Sequence, residues 1–295
     1  MIDLLLCEPN ISEGRDARRV EAFAEVVARS PGVRLIHRSD DPDHNRMVLA
    51  YLGRADDVVE ATLRLAAEVF EQIDLRTHEG RHPRIGALDV VPFVPSAVAG
   101  EAGTRAALAA CRRVGGAVGE LGVPVFYYED AATAPHRRAL PDVRRGGLEG
   151  LASRMETPEW RPDEGPTVIH PAAGAVIVGV RRPLIRFNVN LGDADPAVAQ
   201  AIARAIRESS GGLPGVRALG LALASRGESQ VTMNLTDYRR TSLAVLHEAV
   251  VSRAAARGVD VVGTEVIGPI PRAALVGVAS DILEGLETGQ ILDHV

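Results

Sequence analysis

Apolar residues fall into short runs along the chain, and the spacing inside each run predicts its element. Residues 2–6 are mostly apolar, the pattern of a buried strand. Residues 7–15 carry Pro9, Asn10 and Gly14 and read as a loop. Val20, Phe23, Val26 and Val27 recur at helical spacing and predict a helix over 16–28. A Ser-Pro-Gly break precedes a strand at 33–38, a polar loop at 39–45 and a second strand at 47–52. Asp56 or Asp57 is placed to cap a helix that reaches about residue 73. A glycine-rich loop follows, then a strand at 88–94. The order is β-α-β-β-α-β, extended by a helix at 103–121, a strand at 123–128 and a broken helical stretch to Met155.

The second half repeats that order. Strands are expected at 184–190, 216–224, 230–235 and 259–267, and helices at 196–208 and 242–257. The opening loops also rhyme: EPNISEGRD in one half, NVNLGDAD in the other. The expected fold is therefore α/β (α+β), with two similar subdomains of ferredoxin-like order, spanning 1–175 and 176–295. The join is expected within the Pro- and Gly-rich stretch 157–174, and two such sheets side by side would leave a ligand groove between them.

Composition changes this picture by exclusion. The 295 residues are 46% hydrophobic and 24% charged, enough for two modest cores. A net charge of −6 and 3% aromatic residues argue against nucleic acid as a partner. No apolar run is long enough for a signal peptide or a membrane span, so a cytoplasmic location and no membrane partner are expected. Cys7 and Cys111 match no metal or redox spacing. The chain contains no lysine: all 33 cationic Lys and Arg positions are arginine. That excludes a P-loop lysine and a Schiff-base lysine, and there is no G-x-G-x-x-G. Arginine, in contrast, grips carboxylates in a two-pronged fork.

Three stretches carry candidate chemistry. In GRHPRIG, His82 sits on a glycine-rich loop that allows a close ligand approach and that Pro83 stiffens. Arg81 and Arg84 would favour its neutral form. It reads as a surface histidine or as a proton shuttle. In SDDPDHNR, Asp40, Asp41, Asp43, His44, Asn45 and Arg46 could be turn residues, a metal site or carboxylates facing a cationic substrate group. In RFNVNL and ESQVTMNLTD, the amides Asn188, Asn190, Gln230 and Asn234 interrupt apolar strands. Their partners are either backbone groups or a ligand.

These same stretches resemble the glutamate formiminotransferase family, the transferase module of formiminotransferase-cyclodeaminase. CEPNISEGRD, DPDHNRMVLAYLG, GRHPRIGALDVVPFVP, PEWRPDEGPTVIHP, GVRRPLIRFNVNL, SQVTMNLTDY and TEVIGPIPRAAL carry the likeness, in this order along nearly the whole chain. The resemblance implies two α/β subdomains flanking a substrate groove, a homodimer, and transfer of a formimino group from N-formimidoyl-L-glutamate to tetrahydrofolate, a step of histidine degradation. It implies that His82 is the catalytic histidine and that tetrahydrofolate, as co-substrate, meets residues 162–171, with Pro162, Asp163, Gly165, Pro166 and His170 as contacts. Asp40 and Asp41 are candidates for the cationic amidine. Arg46, Arg84 and Arg182 are candidates for carboxylates, and Asn10, Asn45, Asn188, Asn190, Gln230 and Asn234 for polar substrate groups. No metal is required by this chemistry. A separate cyclodeaminase would act next, since the cyclodeaminase module is not found in the sequence. Two rival classes remain: a metal-dependent hydrolase using Asp43 and His44, and a non-catalytic folate-binding protein.

Overall fold

The computed structural model describes residues 4–42, 44–80, 83–96, 99–223, 226–283 and 285–293. Asp43, Arg81 and His82 lie outside them. The chain forms two compact units, one ending at Arg181 and the other starting at Arg182.

In chain order the first unit holds β1 (Leu4–Cys7), β2 (Asn10–Ile11), α1 (Ala17–Ala28), β3 (Val33–Asp41), β4 (Arg46–Arg54), α2 (Ala55–Gln72), β5 (Leu88–Pro95), α3 (Gly100–Glu120), β6 (Val125–Glu129), α4 (Leu140–Val143), α5 (Gly147–Arg154) and β7 (Val176–Val180). The sheet runs β3, β4, then β1 and β2 in line, then β5, β7 and β6. The first part is antiparallel and has the expected β-α-β-β-α-β order. The strands β5, β7 and β6 are mutually parallel and widen it.

Side-chain alternation explains the layers. Val91, Phe93, Val125, Tyr127, Val176 and Val178 join the core beneath α1, α2 and α3. Val90, Phe126, Tyr128 and Ile177 face the other way, onto Val143, Leu151 and Met155 around α4 and α5. The parallel strands are thus buried on both faces, so VIVGV at 176–180 shows no polar alternation. Stretch 157–174 belongs to this unit, since Val125 donates to the Glu164 carbonyl and β7 follows it into the same sheet.

Two local expectations are corrected. The region 39–45 is not all loop: β3 runs through Asp41, because Asp40 and Asp41 pair with Met47 and Arg46 of β4. The helix α2 starts earlier than expected, with Arg54 at the N-cap, so Asp56 and Asp57 lie in its first turn. There they favour the positive end of the helix dipole without capping it. The cap of α1 is Asp16, which accepts from the Arg18 N–H at 2.9 Å.

The second unit holds β8 (Ile185–Leu191), α6 (Pro196–Ile206), β9 (Val216–Leu223), β10 (Glu228–Leu235), α7 (Leu243–Ala255), β11 (Val261–Ile267), β12 (Ile270–Pro271) and β13 (Ile291–Leu292). The main sheet is antiparallel in the order β11, β8, β10, β9, the ferredoxin-like arrangement. Asp195 caps α6 through the Ala197 N–H at 2.9 Å, with Pro196 in the first turn. Phe187, Val189, Leu191, Val231, Met233 and Leu235 form one sheet face and pack with Ile202, Ile206, Leu246 and Val250 of the helices. No helix among the described residues is long and apolar enough to cross a membrane.

Candidate active site

The loop between α2 and β5 carries the HPRIG stretch, and both its ends are tied down. The Leu75 N–H donates to the Ala172 carbonyl and the Ala87 N–H to the Ala173 carbonyl, each at 2.9 Å. Ala175 donates to the Ile85 carbonyl, also at 2.9 Å. Gly86 is required there, because a Cβ on it would sit 1.9 Å from the Ala175 oxygen. Gly80 is equally close to the β3–β4 turn, where a Cβ would come within 2.6 Å of the His44 carbonyl oxygen.

Asn45 joins three segments at that turn. It takes a left-handed conformation with φ of 49°, which asparagine tolerates better than most residues. Its Nδ2 donates to the Glu79 carbonyl at 2.8 Å, and its Oδ1 accepts from the Gly14 N–H at 3.0 Å. The Asn45 carbonyl lies 3.3 Å from Nε2 of His78. Burial lowers the pKa of half-buried His78, with Arg84 nearby acting in the same direction. Arg84 donates through Nη2 to the His78 carbonyl at 3.0 Å. Nδ1 of His78 and Nε of Arg84 are buried and have no hydrogen-bond partner among the described residues. On the neighbouring segment, Oε1 of Glu13 accepts from the N–H groups of Gly14, Arg15 and Asp16, each at 3.0 Å. Burial opposes ionisation of Glu13, but those donors and Arg19 outweigh it and hold its pKa down.

Beneath the loop lies a fully buried carboxylate, Asp89 of β5. Its Oδ1 accepts from the Ile85 N–H at 2.8 Å, which anchors the C-terminal end of the loop. Its Oδ2 meets Arg46 at 3.0 Å and Arg144 at 2.5 Å. Arg46 also forks onto Oδ1 of Asn10, with Nε at 3.2 Å and Nη2 at 2.9 Å. Desolvation pushes the Asp89 carboxyl up, but the two guanidiniums and the Ile85 amide overcome this and leave it lowered. Among the described residues two guanidiniums thus meet one buried carboxylate, an environment that favours anionic ligand groups.

The structure therefore brings Asn10, Asn45, Arg46 and Arg84 together in the first unit. Asp40 and Asp41 lie at the strand end and face other partners: Asp40 is 3.5 Å from Arg38, and Asp41 is 2.5 Å from Nδ1 of His44. Asp163 is turned into the fold, accepting from the Tyr127 N–H at 2.8 Å and pairing with Arg137 at 2.9 Å. Nδ1 of His170 accepts from the Ala173 N–H at 2.9 Å. Pro162 is half-buried, and Gly165 and Pro166 are exposed. In the second unit Arg182 pairs with Asp237 at 3.1 Å. Asn188, Asn190 and Gln230 are buried as expected, whereas Asn234 is exposed, because it sits at the outer end of its strand opposite Arg217. Asp89, Arg144 and His78 were missed by sequence reasoning. Asp89 did leave a signal, a lone carboxylate inside the apolar run ALDVVPFVP; Arg144, on a surface-type stretch, left none. Among the described residues, no group of three or more His, Cys, Asp or Glu side chains is gathered so that it could hold a metal.

Comparison with known proteins decides the family. Residues 4–181 match the model of the formiminotransferase domain, N-terminal subdomain, and residues 186–291 match that of the formiminotransferase domain. This chain belongs to the formiminotransferase family. It is 39% identical to a glutamate formimidoyltransferase of Streptococcus pyogenes serotype M1, over 96% of this chain and 94% of that one. A glutamate formimidoyltransferase of Thermoplasma acidophilum is 38% identical, over 99% and 97%. The formimidoyltransferase-cyclodeaminase of Sus scrofa is 37% identical over 95% of this chain, which spans 52% of that longer protein. The family member described here is accordingly a transferase, and the group it moves is a formimino group.

Proposed function

We propose that this formiminotransferase moves the formimino group of N-formimidoyl-L-glutamate to N5 of tetrahydrofolate, giving 5-formiminotetrahydrofolate and glutamate. The observation that carries the reading is the match to relatives named glutamate formimidoyltransferase over nearly the full length of both chains. The chemistry of the residues supports it. N5 attacks the amidine carbon, and as the tetrahedral centre forms N5 loses its proton. The bond from that carbon to the glutamate nitrogen then breaks, and the nitrogen leaves with a proton gained. A single neutral imidazole serves as base and then as acid, the role given to His82. Such proton transfer is worth roughly 10²–10⁴ in rate, and the remainder comes from positioning.

The guanidiniums of Arg46 and Arg144 gathered at Asp89 suit a substrate that carries carboxylates. Asp40 and Asp41 stay candidates for the amidinium, and Pro162, Asp163, Gly165, Pro166 and His170 for folate contacts. A separate cyclodeaminase consumes the product in this reading, as fits relatives in which the two names are joined in one protein.

The test is incubation of the purified chain with both substrates while 5-formiminotetrahydrofolate and free glutamate are quantified. Equimolar products, unaffected by chelator, are expected. Glutamate released without tetrahydrofolate, and abolished by chelator, would instead establish the metal-dependent hydrolase.

A further inference from the structure

His78 grips the loop that carries the HPRIG stretch, and the proton transfer described above leaves it unused. Its ring lies against the loop's own backbone, since a Cβ on Gly80 would come within 3.2 Å of its Cε1. Its Nε2 is 3.3 Å from the Asn45 carbonyl on the β3–β4 turn. The Asn45 side chain in turn holds the Glu79 carbonyl and the Gly14 N–H. Arg84 closes the bend from its far end by donating to the His78 carbonyl. One imidazole thus sits where the loop, the turn and Arg84 meet.

A carbonyl oxygen only accepts, so Nε2 carries the ring hydrogen and the neutral ring leaves Nδ1 as a bare lone pair. That Nδ1 is buried without a hydrogen-bond partner among the described residues, and so is Nε of Arg84. While the ring is neutral the two are a lone pair and an N–H. Protonation makes both of them donors, on two neighbouring cations, and leaves the new N–H without an acceptor.

The surroundings oppose that second proton. Burial works against it first, then Arg84 of the same loop, and Arg15 of the segment before α1 adds to both. Glu13 of that segment works for it, but its Oε1 already accepts from three N–H groups and its Oε2 from Arg19 at 3.1 Å. The β3–β4 turn contributes the Asn45 carbonyl, which Nε2 already uses.

We infer that His78 is a positioning residue: its neutral ring, held as the Nε2–H tautomer by the Asn45 carbonyl, sets the loop for formimino transfer, and protonation at Nδ1 drives Arg84 off the His78 carbonyl and slackens that hold. The inference rests on the transfer reaction proposed above. A residue that only filled space would be replaceable by any side chain of similar size, whereas this one must donate and must stay uncharged. Two imidazoles then have to be neutral in the working chain, the proposed base His82 and His78.

The test compares the full chain with His78→Gln, whose amide can donate as Nε2 does but does not titrate, and with His78→Leu, which neither donates nor titrates. At about pH 8, His78→Leu lowers kcat roughly ten- to a hundredfold with both KM values within about threefold, and His78→Gln recovers most of that loss. Below about pH 6, log(kcat/KM) of the parent falls with a slope one unit steeper than that of His78→Gln, because the parent must shed one proton more. Both proteins meet the same substrates, so substrate titration cancels in the comparison. NMR of the parent with labelled histidine nitrogens, the His78 signals being those lost in His78→Gln, shows Nε2 protonated and Nδ1 bare in the neutral ring. Equal acid slopes, a neutral ring protonated at Nδ1, or a His78→Leu chain that melts lower but keeps kcat within about threefold overturns the assignment. The NMR reading needs no turnover, so it decides the tautomer even if the leucine variant does not fold. A parent chain that transfers nothing at any pH would refute the proposed function, an outcome distinct from the failure of His78 alone.

Discussion

Asp89 shows how one buried side chain organises its neighbours. It is completely enclosed, yet it faces two arginines and a backbone amide. Removing its charge takes the buried carboxylate away from both guanidiniums, and breaking a buried pair in this way costs about 3–5 kcal/mol. Asp89→Asn is therefore expected to lower the free energy of unfolding by about that amount in urea titration. Asp40→Asn, which loses only an exposed contact with Arg38, is expected to change it by less than about 1 kcal/mol. The contrast could be partly foreseen. A charged residue inside ALDVVPFVP must be paired, but nothing in the residue order says that the partners are Arg46 and Arg144, 43 and 55 positions away. Long-range pairing of this kind is set by topology, and helical or strand spacing does not report it. The same holds for His78, whose importance lies in a contact with a turn 33 residues earlier.

Elements with one wet and one dry face were legible, because alternation or helical spacing records which side is buried. The four strands and two helices of the second unit follow the expected order with ends shifted by a few residues. The strand β7 was not anticipated: a strand buried on both faces loses its alternation, and this one follows a stretch rich in proline and glycine that reads as a linker. The two-residue β2 has no pattern to read, since it exists only through pairing with β4 and β5. Packing between the β5 approach and β7 yields a prediction at this scale. A methyl group on Gly86 would collide with the Ala175 backbone, which cannot move without disturbing β7. Gly86→Ala is expected to cost about 1–3 kcal/mol in stability and to lower the melting temperature, while Gly116→Ala, where a Cβ meets nothing, has no such effect. A Gly86→Ala chain that melts with the parent would contradict the close approach described for this bridge.

At the scale of the whole molecule, the buried ionisable groups set how the fold responds to acid. Asp89 and Glu13 both titrate lower in the folded chain than in the unfolded one. As pH falls below about 4, the unfolded chain takes up protons first, so the stability these two contribute is present above that value and is lost through their folded pKa values. His78 is also lowered, so its contribution is complete above about pH 6.5 and declines below it. Urea midpoints measured from pH 8 to pH 3 should fall in two stages, and the upper stage should shrink in His78→Asn. A midpoint that rose on acidification would contradict these assignments. Function at this scale follows from family membership across both units, together with the anchored loop that carries the HPRIG stretch. His82 is proposed to shuttle the proton during formimino transfer, and the direct test is kcat as a function of pH for the parent and His82→Gln. The parent rate should rise with pH through an apparent pKa near or below ~6.5, and the glutamine variant should be about 10²–10⁴ slower with both substrates still bound. A glutamine variant that keeps kcat within a few-fold of the parent would contradict it.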